Sequence, residues 1–507
     1  MKNKNKRAYK KRVSIPNQFY LPQALVYKLQ EKISSVPPDF LFQESTGLFF
    51  LSLVFKNTVK NWNFKSLDNY TPLSSELLRK YNTQYNHYFK YFLEVNLLEM
   101  QQHRNFKGIH ECRKYRFTHE VRNSLYSDNA QFYTCTNKSL KRSNINDGKH
   151  EMSPSFLSAT HLSKWFNEKL TINYDEAINM LDENSNADEK IGGKWFVESI
   201  KNNDFYGTRN AQTDNRMHSN LTNLPKEMRP FLRYEGEDLV NFDIKCSQPF
   251  FLVGIIEGLI KNTESLSSLL FEYNKEKNKQ GRITKIHKES LRSYILQNLT
   301  ETLYSKAFAK EWKVFKEWVL CSDLYSELDE ILVPKDVEDE YLLCEQTNIW
   351  GRDILKHFVK KKTKEECVYK ELKIYPDKRS MIKVIVLNIL YGGNKYRCEE
   401  FHRFCKKFPK LCFVFDLIKI YNEDALALWL QQTESKCIID NITKKIAILY
   451  PEMPLFTIHD SIATTRSWSE SVDLKDIICN LIEEEIGFKP QISEERFCDE
   501  CSMIKAE

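Results

Sequence analysis

Two short apolar segments, far apart in the chain, each run into an aspartate, and together they restrict the fold more than any other feature. The first, "GEDLVNFDIKCSQPFFLVGII" from Gly236, reads as a turn, a short strand ending at Asp243, and an apolar helix beginning near Pro249. The second, "PLFTIHDSIATT" from Pro454, reads as a β-hairpin with His459 and Asp460 in its tight turn. Strands expected at 238–244, 454–466 and, in the tail, 488–494 are able to pair in one sheet. If the first two are neighbours, their carboxylates meet, and the long interval between them becomes an insertion into that sheet.

Two converging carboxylates repel unless a cation neutralises them. Mg²⁺ favours a few such oxygens completed by water and substrate phosphates, and a pair of metal ions activates an attacking oxygen while steadying the leaving one. Taken singly, each Asp reads better as an ordinary strand-end or turn carboxylate.

A third segment bears on that choice. In "YPDKRSMIKVIVLNILYGGNK", residues 375–395, Arg379, Lys383, Leu387 and Tyr391 recur every four residues along one helical face, and Gly392 ends the helix. The cations lie in the first turns, where free backbone N–H groups also favour an anion. Such a face suits a triphosphate: Arg379 and Lys383 grip it, and Leu387 and Tyr391 form an apolar floor for base and sugar. On composition alone, the same stripe is a solvated basic helix edge.

With these residues in view, the chain resembles the polymerase module of family A DNA polymerases and the related single-subunit, phage-type RNA polymerases. Their helical motif has Arg, Lys at +4, an aromatic residue or Met at +8, then Tyr-Gly; only Leu387 departs from it. Their strand-terminal Asp matches Asp243 in "FDIKCSQPFFL", and their His-Asp hairpin matches His459 and Asp460. "NRMHSNLTNLP" at 215–225 and "LQQTES" at 430–435 resemble two further blocks, aligning Arg216, Gln431 and Thr433. All five blocks stand in the family's order across roughly residues 206–495.

The resemblance implies an α+β right-hand polymerase fold: a palm sheet with helical fingers and thumb. Palm segments are expected at 206–260 and 396–507, fingers at 261–395, and thumb-like helices with linker at 126–205. It implies catalysis by Asp243 and Asp460 holding two Mg²⁺ ions, with Mn²⁺ as an alternative. Nucleotide would be bound by Arg379, Lys383, Leu387, Tyr391, Gly392 and Gln248, and primer–template by Arg216, Gln431 and His459. The partners implied are primer–template DNA or RNA and nucleoside triphosphates.

Two departures leave the sugar open. Family A DNA polymerases usually carry Glu five residues after the first Asp, where it helps exclude a 2′-hydroxyl; here that position is Gln248, whose amide is able either to block ribose or to hydrogen-bond to it. The Asp of the hairpin is followed by Ser461, as in the phage-type RNA polymerases. The reading favours template-directed DNA synthesis over RNA synthesis, priming or template-independent addition. No Asp-x-Glu exonuclease pattern precedes residue 206, so no proofreading is expected. A compact enzyme of a phage, plasmid, mobile element or defence system fits. Two other classes compete: a non-catalytic winged-helix replication initiator and a metal-dependent nuclease. The initiator predicts loss of the ligands that are present, and the nuclease leaves the Arg-Lys-Tyr-Gly helix unexplained.

The rest of the chain adds less. Its 507 residues exceed one ordinary hydrophobic core, so several domains are expected. Lys and Arg total 75 against 69 acids, so the net charge of +6 identifies no partner. Locally, "MKNKNKRAYKKR" carries seven cations and no acid, which suits a basic arm over residues 1–20 lying along a polyanion or simply solvated. Residues 21–125 read as a mainly helical module, a helix at 75–100 followed by a basic strand at 111–121. In a winged-helix reading the strand would present Arg113, Lys114 and Arg116 to phosphates.

The stretch 126–195, including "NSNADEKIGGK", reads as loops and linker around a helix at 159–182, and 261–378 reads as mostly helical. The thirteen cysteines, among them Cys498/Cys501 and Cys405/Cys412, lack zinc-site spacing and are expected as reduced thiols. The longest apolar run, 249–260, is too short for a bilayer, so a cytoplasmic chain without a membrane partner is expected. The oligomeric state is left open.

Overall fold

The structure, a computed structural model, describes residues 18–60, 66–101, 112–127, 131–136, 151–261, 285–333, 342–347, 353–356, 371–374, 377–393, 399–420 and 422–498. Residues 1–17 of the basic arm and Cys501 lie outside them. Among the described residues the fold mixes helices with sheets whose strands pair antiparallel, apart from one short parallel pair, Glu151–Met152 with Tyr206–Thr208.

At its centre runs the strand Glu237–Ile244, whose consecutive residues Leu239 to Phe242 are all buried, as in a strand covered on both faces. It pairs antiparallel with Ser461–Thr465 on one side and with Ile492–Phe497 on the other, while its first residues also turn back onto Leu232–Tyr234. Leu170–Ile172 and Phe456–Ile458 complete six strands. The tail strand thus starts at Ile492, later than the expected 488. Gly487, at φ 87°, caps the helix Leu474–Ile486 in the left-handed region, and Pro490 delays the strand's entry into the ladder.

Helices clothe this sheet. Ser247–Lys261, apolar nearly all round, is buried against Ala425–Ser435 and Lys306–Leu320. The helical run then continues from Ser435 through a π-helical segment, Lys436–Ile442, into Thr443–Leu449. Wide turns of this kind displace backbone carbonyls. Thr443 Oγ1 donates to the carbonyls of Ile438 and Ile439 at 2.9 and 3.0 Å, and His161 Nε2 lies 3.0 Å from the Ile439 carbonyl oxygen.

Several local expectations are corrected. The helix expected at 159–182 is two pieces, Thr160–Ser163 and Tyr174–Asn184, separated by the sheet strand Leu170–Ile172. "NSNADEKIGGK" is no linker: Asn186 and Glu189 form a reciprocal cap that starts the buried helix Ala187–Lys201. Its Gly193 is there for close packing, since a Cβ would stand 2.5 Å from Leu181 Cδ2. The helical interval 261–378 holds the helices Lys285–Leu303, Lys306–Leu320 and Leu324–Leu332. It also holds a three-stranded sheet, Asp353–Lys356, Leu342–Thr347 and Glu371–Ile374, with Leu342–Thr347 in the middle. Cys405 and Cys412, expected as thiols, are joined in a disulfide, because seven residues carry the chain around the corner between Glu399–Lys407 and Pro409–Lys419.

In the N-terminal region the helix Glu44–Lys60 is followed by Thr71–Leu73, the helices Ser75–Tyr81 and Tyr85–Glu94, and the strands Leu98–Met100 and Arg113–Phe117. The expected helix at 75–100 is therefore two helices and a strand. Arg113–Phe117 lies in the middle of a three-stranded sheet. Arg116 is not offered outward: it pairs with Glu99 at 2.8 Å and lies over the Tyr70 ring. This region is fastened to the rest through Lys56 and Tyr20 on Asp204, and Tyr126 and the Leu67 amide on Asp188.

Candidate active site

Strand register decides the first question. Asp243 lies opposite Ser461, and Ile458 opposite Ser461 across a two-residue turn, so Asp460 emerges beside Asp243. His459 takes the first position of that turn at φ 59°, a left-handed conformation that His adopts more readily than most residues. After Asp243 the chain turns through Cys246, also left-handed at φ 54°, straight into the helix Ser247–Lys261. Asp243 is thereby held near a strand end and Asp460 in the tight turn between two paired strands.

Burial, and then the neighbouring Asp460, push Asp243 up to about 6; Glu495 adds to the rise, while Lys383 and Lys226 oppose it. An acid raised above its unfolded value of about 3.9 contributes less stability as pH climbs through the window from about 4 to about 6. Metal-free Asp243→Asn protein is therefore expected to be more stable than the parent at pH 7, by up to roughly 2–3 kcal/mol. The gain should shrink towards pH 4, where the parent is protonated too. Urea unfolding in EDTA at the two pH values measures it, and coincident curves at pH 7 would mean that neither burial nor Asp460 raises Asp243.

The same strain bears on whether a cation fits. Among the described residues no three His, Cys, Asp or Glu side chains converge as a self-contained metal site. Asp243 and Asp460 offer two carboxylates with charge to be neutralised, which matches a hard ion completing its shell with water and phosphate oxygens.

The helix Lys378–Tyr391 is capped by Asp377, whose side chain accepts from the Ser380 amide. Met381, Ile382, Ile385, Val386, Ile389 and Leu390 are buried; the stripe of Arg379, Lys383, Leu387 and Tyr391 faces outward, exposed at the cations and half-buried at Leu387 and Tyr391. Lys383 is close enough to Asp243 to favour its ionised form. Arg379 is occupied: its Nε and Nη2 each donate to Asp323 at 3.1 Å, and its guanidinium lies 5.0 Å from the centre of the Tyr325 ring. Gly392 ends the helix as expected, in an extended rather than a left-handed conformation. Its φ is −62°, and glycine is required because a Cβ would approach the Asn388 carbonyl oxygen to 2.5 Å.

Behind this stripe lies a buried polar knot that the sequence reading missed. Glu434, on the helix Ala425–Ser435, is fully buried. It accepts from Arg216 Nε at 2.7 Å, with Nη2 of the same guanidinium 2.6 Å away in the ion pair, from Ser247 Oγ at 2.8 Å, and from the Gln248 amide nitrogen. Burial pushes Glu434 up to about 7, Arg216 opposing the rise. Tyr391 is held above the usual phenol range by burial, and both Arg216 and Gln431 act against that shift. His459 is pushed down to about 4 by burial and by Arg216, so its imidazole is neutral at pH 7.

The structure thus gathers Asp243, Asp460, His459, Arg216, Gln248, Tyr391, Gln431 and Lys383 into one region, with Arg379 at its edge. The available signal for Glu434 was its position three residues after Gln431, an acid on the buried side of an apolar helix. Beside His459 opens a cleft of about 570 Å³, lined among others by Lys60, Gly192, Thr222, Asn223 and Pro225. Among the described residues no helix is long and apolar enough to cross a membrane.

No family model matches the chain, and no curated protein does. Among solved structures, it is similar to the POL domain of Pol1 from M. smegmatis in complex with DNA primer-template and dNTP, at 13% identity and a TM-score of 0.21. The match covers 64% of this chain and 55% of that one. A likeness of this size assigns no role, and the site is read from its own residues.

Proposed function

We propose that this chain is a nucleic-acid polymerase that adds nucleotides to a 3′-hydroxyl under the direction of a template. The observation that carries the reading is the strand register that sets Asp460 beside Asp243, within reach of the cationic stripe of Lys378–Tyr391. A nuclease needs the carboxylates but not that stripe, and an initiator needs neither.

In this reading Asp243 and Asp460 hold two Mg²⁺ ions, which when bound lower the pKa of the attacking hydroxyl and neutralise charge on the phosphates. Lys383 binds the triphosphate next to Asp243 as a point charge. Arg379 joins it by exchanging Asp323 for phosphate, a trade between two bidentate partners of the guanidinium. Leu387 and Tyr391 form the floor under sugar and base. Arg216, Gln431 and neutral His459 line the side where the primer end lies, and the cleft beside His459 is the path for that strand. The sheet with its two Asp is the palm, and the helices between Lys285 and Tyr391 are fingers. In this reading the N-terminal module, which includes the order helix, strand, two helices, two strands, is a winged helix with Tyr85–Glu94 as the helix presented to a duplex.

The test is extension of a labelled primer on DNA and on RNA templates with Mg²⁺, with dNTPs and NTPs in separate lanes and one lane lacking template. Extension that copies the template supports the reading, and DNA synthesis is the product favoured. Extension without template moves the chain to tailing enzymes, and tight binding with no synthesis in any lane returns it to the initiators.

A further inference from the structure

We propose that the Cys405–Cys412 disulfide is a redox-sensitive clasp that sets how firmly the helix Lys378–Tyr391 is held. Resting on the polymerase reading, opening the clasp weakens binding of the incoming nucleotide.

The helix is held at both ends, by different partners. At its start Lys378 pairs with Asp329 at 2.5 Å and Arg379 with Asp323, acids that belong to Leu324–Leu332 and its cap. At its end Lys419, only 3% exposed, donates from Nζ to the carbonyls of Gly392 at 2.7 Å and Ile389 at 3.2 Å. An ammonium there also meets the negative end of the helix dipole. Lys419 is the last residue of Pro409–Lys419. Leu324–Leu332 packs in turn against Glu399–Lys407, whose Arg403 Nη1 donates to the Leu332 carbonyl at 2.9 Å. The supports of the two ends therefore meet at one corner, between Glu399–Lys407 and Pro409–Lys419, and the disulfide closes that corner.

Stability gives a weak account of the bridge. A crosslink between residues seven apart removes less chain entropy than one that closes a long loop. The corner has other holds: Phe408 is buried, and Glu311 accepts from the amides of Lys410 and Leu411 at 2.8 and 3.2 Å. Breaking the bridge thus frees the angle between the two helices while the corner stays folded. Cys135, Cys246, Cys437 and Cys479 are free thiols, and a bridge kept among reduced thiols is typically transient and redox-sensing.

The chemistry is thiol–disulfide exchange. Cys405 is half-buried and Cys412 buried, so a dithiol attacks the Cys405 sulfur, Cys412 leaves as thiolate and takes up a proton, and the second thiol of the reductant releases Cys405. Two electrons and two protons pass to the protein, and the reductant ends as a disulfide. Oxidised glutathione reverses the step and ends as two thiols. Exposed Lys406, Lys407 and Lys410 flank the bridge and favour its thiolates.

The test takes the full chain oxidised with oxidised glutathione and reduced with dithiothreitol, beside Cys405→Ser and Cys412→Ser. Two quantities are read in each: amide hydrogen exchange of Lys378–Tyr391, and affinity of the primer–template complex for an α,β-methylene nucleoside triphosphate, deoxy and ribo, with Mg²⁺. Oxidised wild type is expected to show slower exchange in this helix and about fivefold or more tighter analogue binding than reduced wild type, and the serine variants to match the reduced state in both buffers. By linkage, saturating analogue shifts the thiol–disulfide equilibrium towards the bridge by the same factor. The wild-type comparison needs no substitution, so a misfolded variant cannot produce the result. Cys405 and Cys412 that stay open to alkylation after oxidation overturn the inference. So does a redox response that persists in Cys405→Ser, because it belongs to another thiol. Equal exchange and equal analogue affinity in the two states overturn the clasp and leave the polymerase reading standing. Exchange that changes with redox state while the analogue binds neither state keeps the clasp and overturns the polymerase reading.

Discussion

Asp460→Ala and Asp243→Asn are each expected to abolish primer extension, with a loss of at least about a thousandfold, while binding of primer–template changes little. The register of Glu237–Ile244 against Ser461–Thr465 leaves these two carboxylates as the anionic pair at the turn. Losing the metal-assisted stabilisation of developing phosphate charge removes several kcal/mol from the transition state, and about 4 kcal/mol is already a factor of about a thousand in rate. Binding of nucleic acid draws on other groups, so a fluorescence-anisotropy titration should give similar affinities for the parent and both variants. A variant that still extends at more than a few per cent of the parent rate would remove its Asp from the chemistry. Loss of binding together with synthesis would point instead to a folding role.

The second large effect is expected at Lys383. Lys383→Ala should lower kcat/KM for the nucleotide by about tenfold to a hundredfold, mostly through KM, because one charge-assisted contact to phosphate is worth roughly 1.5–3 kcal/mol. Lys383 is exposed on the helix face and acts electrostatically on Asp243, so its ammonium is near the place where triphosphate and carboxylates meet. Arg379→Ala should cost less, since part of its binding energy is spent on leaving Asp323. Steady-state kinetics of both variants across a nucleotide titration tests the order. An Arg379 effect larger than that of Lys383 would place the triphosphate nearer the helix start than proposed.

These expectations divide unevenly between what could be read from the chain and what could not. The four-residue spacing from Arg379 to Tyr391 is a local property, and a helix turns it into a stripe whatever surrounds it. The central strand and the His-Asp hairpin were legible for the same reason: apolar pattern and turn residues act within a few positions. Misreadings occurred where a local signal served a tertiary purpose. Gly192-Gly193 looked like a linker and is a close helix contact; Ser, Asn and Asp before it looked like loop and are a cap. Arg116 looked like a phosphate contact and is neutralised by Glu99. Cys405 and Cys412 looked like scattered thiols and meet across a corner between two helices.

By itself, the sequence determined which residue types stand on which short elements: two strand-end aspartates, a cationic helical stripe, a glycine stop. Each of these depends on interactions spanning a turn or two, and such interactions are encoded where they act. Only the tertiary structure decided that Asp243 lies opposite Ser461, that Arg379 rests on Asp323, and that Glu434 closes on Arg216, Ser247 and Gln248. Pairings of this kind join segments tens to hundreds of residues apart. They are selected by the shared burial of a whole core, and no window of sequence contains both partners.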